Sequence, residues 1–216
     1  MFKAGNIFLK TAGELSLFFS GIIIFTFFAQ QKGLIFLLSF TGLILSALIV
    51  ASHEKSWQAL REAFGLIPIR KENVYFIPLS ILLAVFFSLL YRYFLKLDIF
   101  PTQFISFVIP AAMIGATEEL IFRGYIQFRS REFGVIISIL IAAITHTVYK
   151  YVLFSSLSAI EVVNLGFLIF WTMVVGLILG IMKELSGSCW VPIIFHVVFD
   201  ILVYGDGAIE TWWVFA

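Results

Sequence analysis

The chain has 216 residues, of which 62% are hydrophobic, 18% aromatic and only 12% charged, and its mean hydropathy is +1.08. A soluble domain carries about 25% charged residues, so half of the expected charge is missing and lipid must solvate most of the surface. A net charge of +1 gives no hint of a nucleic-acid partner, and the single cysteine, Cys189, excludes a disulfide framework and a cysteine-based zinc site.

A helix needs about 20 apolar residues to cross a hydrocarbon core of roughly 30 Å. In chain order, apolar runs predict spans at 15–29 (short, borrowing flanking residues), 34–51, 74–91, 103–128, 133–149, 162–182 and 190–204. The first run follows Lys3, Lys10 and Glu14 and leads directly into the second, which reads as a retained anchor. Pro78 and Pro110 fall inside spans, where each would kink its helix or free backbone carbonyls that neighbouring helices satisfy. A candidate eighth element lies in 151–160 or in 208–216, both short for a span; Trp212 and Trp213 have the character of interfacial aromatics. The expectation is one all-α domain over 1–216: a polytopic transmembrane helical bundle of seven to eight spans.

Orientation follows from the basic residues. With a cytoplasmic N-terminus, the inner side receives Lys3, Lys10, Lys55, Arg61, Arg70, Lys71, Arg129, Arg131 and Lys183, and the outer side only Lys32, Arg92, Lys96 and Lys150. The positive-inside rule favours that arrangement. The polar stretch 52–73, "SHEKSWQALREAFGLIPIRKEN", is then a cytoplasmic loop with a short amphipathic helix around 57–64, and His53 reads as solvated within it.

Most lysines and arginines fall at span ends, where their stems can snorkel. Glu118, Glu119, His146, His196 and Asp200 do not. An ionised side chain at a helix centre costs roughly 2.5–3.5 kcal/mol on insertion scales, so such groups are rarely kept without a role. Glu119 and Arg123, four apart with the carboxylate first, account for each other as a helix pair. Glu118, rotated about 100° away, is left unexplained. His196 and Asp200 are also four apart; an imidazole bonded to a carboxylate accounts for them singly, as a bond to a neighbouring carbonyl accounts for His146. The combination changes the reading. Glu118 lies about 16 Å from Arg129 along its helix, His146 about 18–20 Å from Phe133 and His196 about 9 Å from Trp190. All can meet in a cavity within the membrane, below or near the midplane and reached from the cytoplasmic side. They are the parts needed to hold or activate water for amide hydrolysis.

Three motifs then resemble those of the CAAX protease and bacteriocin-processing (CPBP, or Abi-type) intramembrane peptidases. The family's E-E-x-x-x-R stands complete as Glu118, Glu119 and Arg123 within "EELIFRGYIQ", and its final H-x-x-x-N/D as His196 and Asp200 after "SCWVPIIF". The middle motif, F-x-x-x-H, is partial: His146 is present, but Ala142 stands in place of phenylalanine. The resemblance spans 114–204. It implies an all-helical membrane endopeptidase acting on a hydrophobic or lipidated peptide near the cytoplasmic side, the eukaryotic members removing the last three residues of prenylated CAAX proteins. By motif position, Glu118 and His146 would activate water, His196 and Asp200 would stabilise the oxyanion, and Glu119 with Arg123 would brace the first motif. The family is called a metalloprotease group, and Glu118, His146, His196 and Asp200 suit zinc. A metal-free, glutamate-activated water uses the same residues, and the sequence leaves both open.

Two rivals remain. A non-catalytic immunity or peptide-binding protein would share the scaffold, and an ion-coupled transporter would also hold intramembrane acids and imidazoles. A transporter predicts inverted repeats, and none is visible. Short loops suggest a prokaryotic source, and hence a multi-pass plasma-membrane protein.

Overall fold

The computed structural model describes residues 2–28, 31, 33–155 and 164–207. Helix α1 (Phe2–Phe28) and α2 (Leu34–His53) are followed by short α3 (Trp57–Ala63), then α4 (Phe76–Phe94) and α5 (Val108–Glu119). A π-helical stretch, Leu120–Ile126, carries α5 into α6 (Gln127–Ser130); α7 (Val135–Ser155), α8 (Leu165–Ser186) and α9 (Trp190–Tyr204) complete the described chain. No strand occurs among the described residues.

Five helices are long and apolar enough to cross a membrane, and α9 is apolar but shorter. The run from Val108 to Ser130 keeps right-handed helical dihedrals through both junctions and changes only its hydrogen-bond spacing. It is the remaining predicted span. The first predicted span is too short: α1 begins at Phe2, because Lys3, Lys10 and Glu14 lower hydropathy without opposing helix. The last five residues of α7 take up 151–155. The rest of the eighth-element candidates, 156–160 and 208–216 with Trp212 and Trp213, lies outside the described residues.

The expected proline kinks do not follow. Pro78, Pro110 and Pro192 each occupy the third position of a helix, counting from Phe76, Val108 and Trp190. The first turn has no intrahelical partner for its N–H groups, so a missing N–H there is harmless.

Helices alternate in direction, giving the bundle two ends. One, the basic end, carries Lys55, Arg61, Arg129, Arg131 and Lys183. Here the loop after α2 folds onto the bundle rather than lying free. Ser56 caps α3 by accepting from the Ala59 N–H at 3.1 Å. Cys189 N–H donates to Gly65 O at 2.8 Å, Ser188 Oγ to Ile67 O at 2.6 Å, and Phe64 stacks on Tyr125 at 5.7 Å. Gly65 needs its glycine twice: its φ is +65°, and an added Cβ would sit 3.0 Å from Cys189 Cβ. His53 is likewise not simply solvated, since its Nε2 lies 3.2 Å from Glu14 Oε2.

At the opposite end, Arg92 does not snorkel. It is 1% exposed and donates to Asp98 O, Leu202 O and Val203 O while pairing with Asp206 at 2.6 Å. It thus satisfies carbonyls that the end of α9 leaves without intrahelical partners.

Candidate active site

Glu118 and Glu119 close α5, and the 100° rotation between neighbours sends them to different helices. Glu118 faces α7. Its Oε2 is 3.0 Å from His146 Nε2, and its Oε1 accepts from Lys150 Nζ at 2.6 Å. Glu119 faces α9: its Oε1 is 2.7 Å from His196 Nδ1 and accepts from Arg123 Nη1 at 2.9 Å. The predicted i,i+4 pair therefore forms, with both side chains fully buried.

Donor chemistry assigns the protons. A guanidinium can only donate, so the 2.7 Å contact from Arg123 Nη1 makes His146 Nδ1 an acceptor. His146 then carries its proton on Nε2 and donates it to Glu118. The Glu119 carboxylate already accepts from Arg123, so His196 donates to it from Nδ1. His196 Nε2 is left facing two acids, 3.5 Å from Glu118 Oε2 and 3.8 Å from Asp200 Oδ1. A proton at that nitrogen satisfies both.

The charges balance. Glu118 is matched by Lys150, Glu119 by Arg123 and Asp200 by a protonated His196, with His146 neutral. Unpaired ions in this setting would cost several kcal/mol each, and this balance is why so many can be buried together. Phe122, fully buried, stacks on the His146 ring at 4.5 Å, so the aromatic partner of this histidine comes from the first motif. Ala142, where the resemblance expects phenylalanine, is fully buried one turn before His146.

All six residues singled out in the sequence converge. Two others were missed. In sequence Lys150 reads as an outer, snorkelling lysine, yet it pairs with Glu118; its position four after His146 on the same helix face is the available signal. Gly115 lies one turn before Glu119, and an added Cβ would meet Asp200 Oδ2 and His196 Cδ2. Its missing side chain lets α9 bring those groups against α5.

Glu119, Arg123, His146, Lys150, His196 and Asp200 line one cavity, and Glu118 lies just behind Lys150 and His146. The donor set suits zinc poorly. Both His146 nitrogens are engaged, one by a cation, and an ammonium holds Glu118 Oε1. Among the described residues no group of three or more His, Cys, Asp or Glu side chains has the arrangement to hold a metal ion.

The cavity extends to one side of this centre. Its lining runs from Arg123, Leu179 and Phe195 to Phe154, Phe167 and Tyr204, toward the end opposite the basic loops. The spacing of residues along each helix gives depth but not which way a cavity runs from it.

The fold and site define a class, a helical membrane protein with a buried acid–imidazole–cation centre beside an apolar cavity. Residues 100–202 match the family described as Rce1-like, type II CAAX prenyl endopeptidase Rce1-like. That segment, just under half of the chain, contains all six predicted site residues and Lys150, and it supports a CAAX-type intramembrane endopeptidase. No curated protein and no solved structure matches the chain.

Proposed function

We propose that Glu118 is the base of this intramembrane endopeptidase and activates water without a resident metal. Water approaches the carboxylate as the Lys150 ammonium withdraws from Oε1, and Glu118 takes one of its protons. The water oxygen bonds to the scissile carbonyl carbon, and the oxyanion that forms is met by a proton on His196 Nε2, shared with Asp200. The carbon–nitrogen bond then breaks, and the proton held by Glu118 passes to the leaving amine. His146 donates to Glu118 throughout and fixes its direction, while Glu119 and Arg123 hold the two imidazoles in their tautomers.

One observation carries this reading: Glu118 is held by His146 at 3.0 Å with His196 at 3.5 Å, beside a cavity lined by the other site residues. The same buried groups would be an expensive way to line a site that only binds. The substrate class is an apolar or lipidated peptide, since aromatic and aliphatic side chains form most of the wall.

The test is Glu118→Gln in purified protein. Turnover of a farnesylated CAAX peptide or a bacteriocin leader peptide should fall by about 10²-fold or more, the scale of a general base, with folding and peptide binding kept. Peptide bound but never cut by the unaltered protein would favour the immunity or binding reading. Activity abolished by a chelator and restored by zinc would overturn the metal-free step.

A further inference from the structure

A lysine inside an apolar helix needs a reason, since an ammonium at that depth is kept only with a partner. Lys150 sits one turn after His146 on α7, and its Nζ lies 2.6 Å from Glu118 Oε1. The ammonium is also 5.6 Å from the centre of the Tyr149 ring. Among the described residues, Arg123 and Lys150 are the two lysine or arginine side chains that line the cavity, and they are held differently. Arg123 is fully buried, with Nη1 fixed by Glu119 and His146. Gly176 packs so closely on it that an added Cβ would stand 3.1 Å from Nη2. The Lys150 side chain is 16% exposed and ends a flexible four-carbon stem. One cation is locked and the other can turn.

Turning it has a condition. The proposed reaction needs Glu118 Oε1 free for water, so the ammonium has to leave. An ammonium without a counter-ion in a low-dielectric cavity costs several kcal/mol. The other acids of the centre already have partners, Glu119 in Arg123 and His196, and Asp200 in His196. Elsewhere the cavity wall is largely apolar, with Phe87, Phe154, Phe167 and Leu168 among its residues. The new partner therefore has to arrive with the substrate, and it has to be an anion.

We propose that Lys150 reads an acidic group on the substrate. A carboxylate entering the cavity takes the ammonium from Glu118, so that recognition of the peptide and release of the base are one event. The release rests on the peptidase reading; the recognition does not. Lys150 follows His146 by about 6 Å along α7. An extended chain advances about 3.3 Å per residue, so with the reach of the lysine added the acidic group lies within about two to four residues of the bond that is cut. Two sources meet that requirement, the C-terminal carboxylate of a chain cut near its end or an Asp or Glu side chain.

Binding to purified Glu118→Gln protein, which leaves the peptide whole, tests the recognition. The probe is a fluorescently labelled farnesylated CAAX peptide in three forms: with a free C-terminal acid, with a C-terminal amide, and with an amide and Asp as the last residue. The free acid should bind about tenfold or more tighter than the plain amide, the scale of a hydrogen bond to a charged group. Adding Lys150→Met should erase the difference, and adding Lys150→Arg should keep it. With Glu118→Gln already in place, Lys150→Met strands no charge, so that protein should fold. If the Asp amide binds as the free acid does, either carboxylate is accepted; if it binds as the plain amide does, the chain terminus is read. Both results support the proposal. Equal binding of all three forms, binding of none, or a preference that survives Lys150→Met overturns it. Cleavage by the unaltered protein is the second readout, and the free acid should be favoured in kcat as well as in KM, because its carboxylate also frees Glu118. Equal cleavage of acid and amide means that the ammonium finds its partner inside the site, and overturns the proposal too. No cleavage of any form, with the binding preference and its loss in Lys150→Met as expected, sinks the peptidase reading and leaves the recognition standing.

Discussion

Helices α1 and α2 pack against each other by a different principle from the helices around the site. Between α1 and α2, small residues let backbones approach. A Cβ on Gly21 would strike Gly42 O and Ser46 Oγ, a Cβ on Gly42 would strike Gly21 O, and Ser46 Oγ donates to Phe18 O at 2.9 Å. Lipid supplies no hydrophobic drive between helices, so close packing of this kind has to hold them. Around α5, α7 and α9 the contacts are ionic. Ions at that depth are costly alone and tolerable when paired, as Glu119 is with Arg123 and Glu118 with Lys150. The first region tells only how a helix pair assembles; the second concentrates its charge at the candidate site.

The sharpest way to break this contrast is Glu119→Ala. It strands Arg123, which is 0% exposed, and removes the acceptor for His196 Nδ1. Loss of one partner from a buried pair costs about 3–5 kcal/mol, so the melting temperature in detergent should fall together with activity. Adding Arg123→Leu should recover folding more than turnover. A stable, active Glu119→Ala protein would mean that the pair is incidental.

Lys150→Met comes next. It leaves three acids facing too few cations, and hydrogen bonds to charged groups are worth about 1.5–3 kcal/mol. Stability should drop by that order, turnover should fall, and Lys150→Arg should restore most of both. If Lys150→Met instead turns over faster at unchanged stability, the ammonium is a cover on Glu118 and not part of its support.

Much of this centre was legible. Polar residues four apart inside apolar runs mark one face of a helix, and that spacing brought out the Glu119–Arg123 and His196–Asp200 pairs. Lys150 escaped because it follows a predicted span end, where a lysine has a ready explanation. Gly115 escaped because a glycine in an apolar helix carries no sign of what packs on it. The π-helical stretch after Glu119 and the folding of the 54–73 loop onto the bundle are products of tertiary contact. The loop 54–73 looks polar and solvated in sequence, and only its bonds to Ser188, Cys189 and the end of α8 fix it to the bundle.

Gly42→Ala should sharpen the comparison from the other side. The new Cβ meets Phe25 N at 2.9 Å as well as the Gly21 carbonyl. Backbone on both sides cannot yield as a side chain would, so overpacking should cost about 1–3 kcal/mol. Turnover per folded molecule should stay unchanged, because no site residue belongs to α1 or α2. A loss of turnover at intact stability would show that the helix pair sets the geometry of the site.

The smallest effect belongs to Glu14, where the helix pair meets the rest of the bundle. Its carboxylate lies 2.9 Å from Arg129 Nη2, 3.2 Å from His53 Nε2 and 3.8 Å from Lys10 Nζ, so one acid ties α1 to α2 and to α6. The side chain is 18% exposed and its partners 19%, 22% and 72%. Water and salt reach such contacts, and exposed pairs contribute about 0.2–1 kcal/mol. Nearby, Phe18 packs on Tyr125 with ring centroids 4.6 Å apart, and both residues are buried. That contact docks the pair without charge. Glu14→Gln should therefore lower the melting temperature slightly in dilute buffer and not measurably at about 1 M salt, where screening shrinks to roughly 3 Å. A cost of 3 kcal/mol or more, persisting in high salt, would mean that the pair is docked by ions as the site is, and the division between the two regions would fail at the seam that joins them.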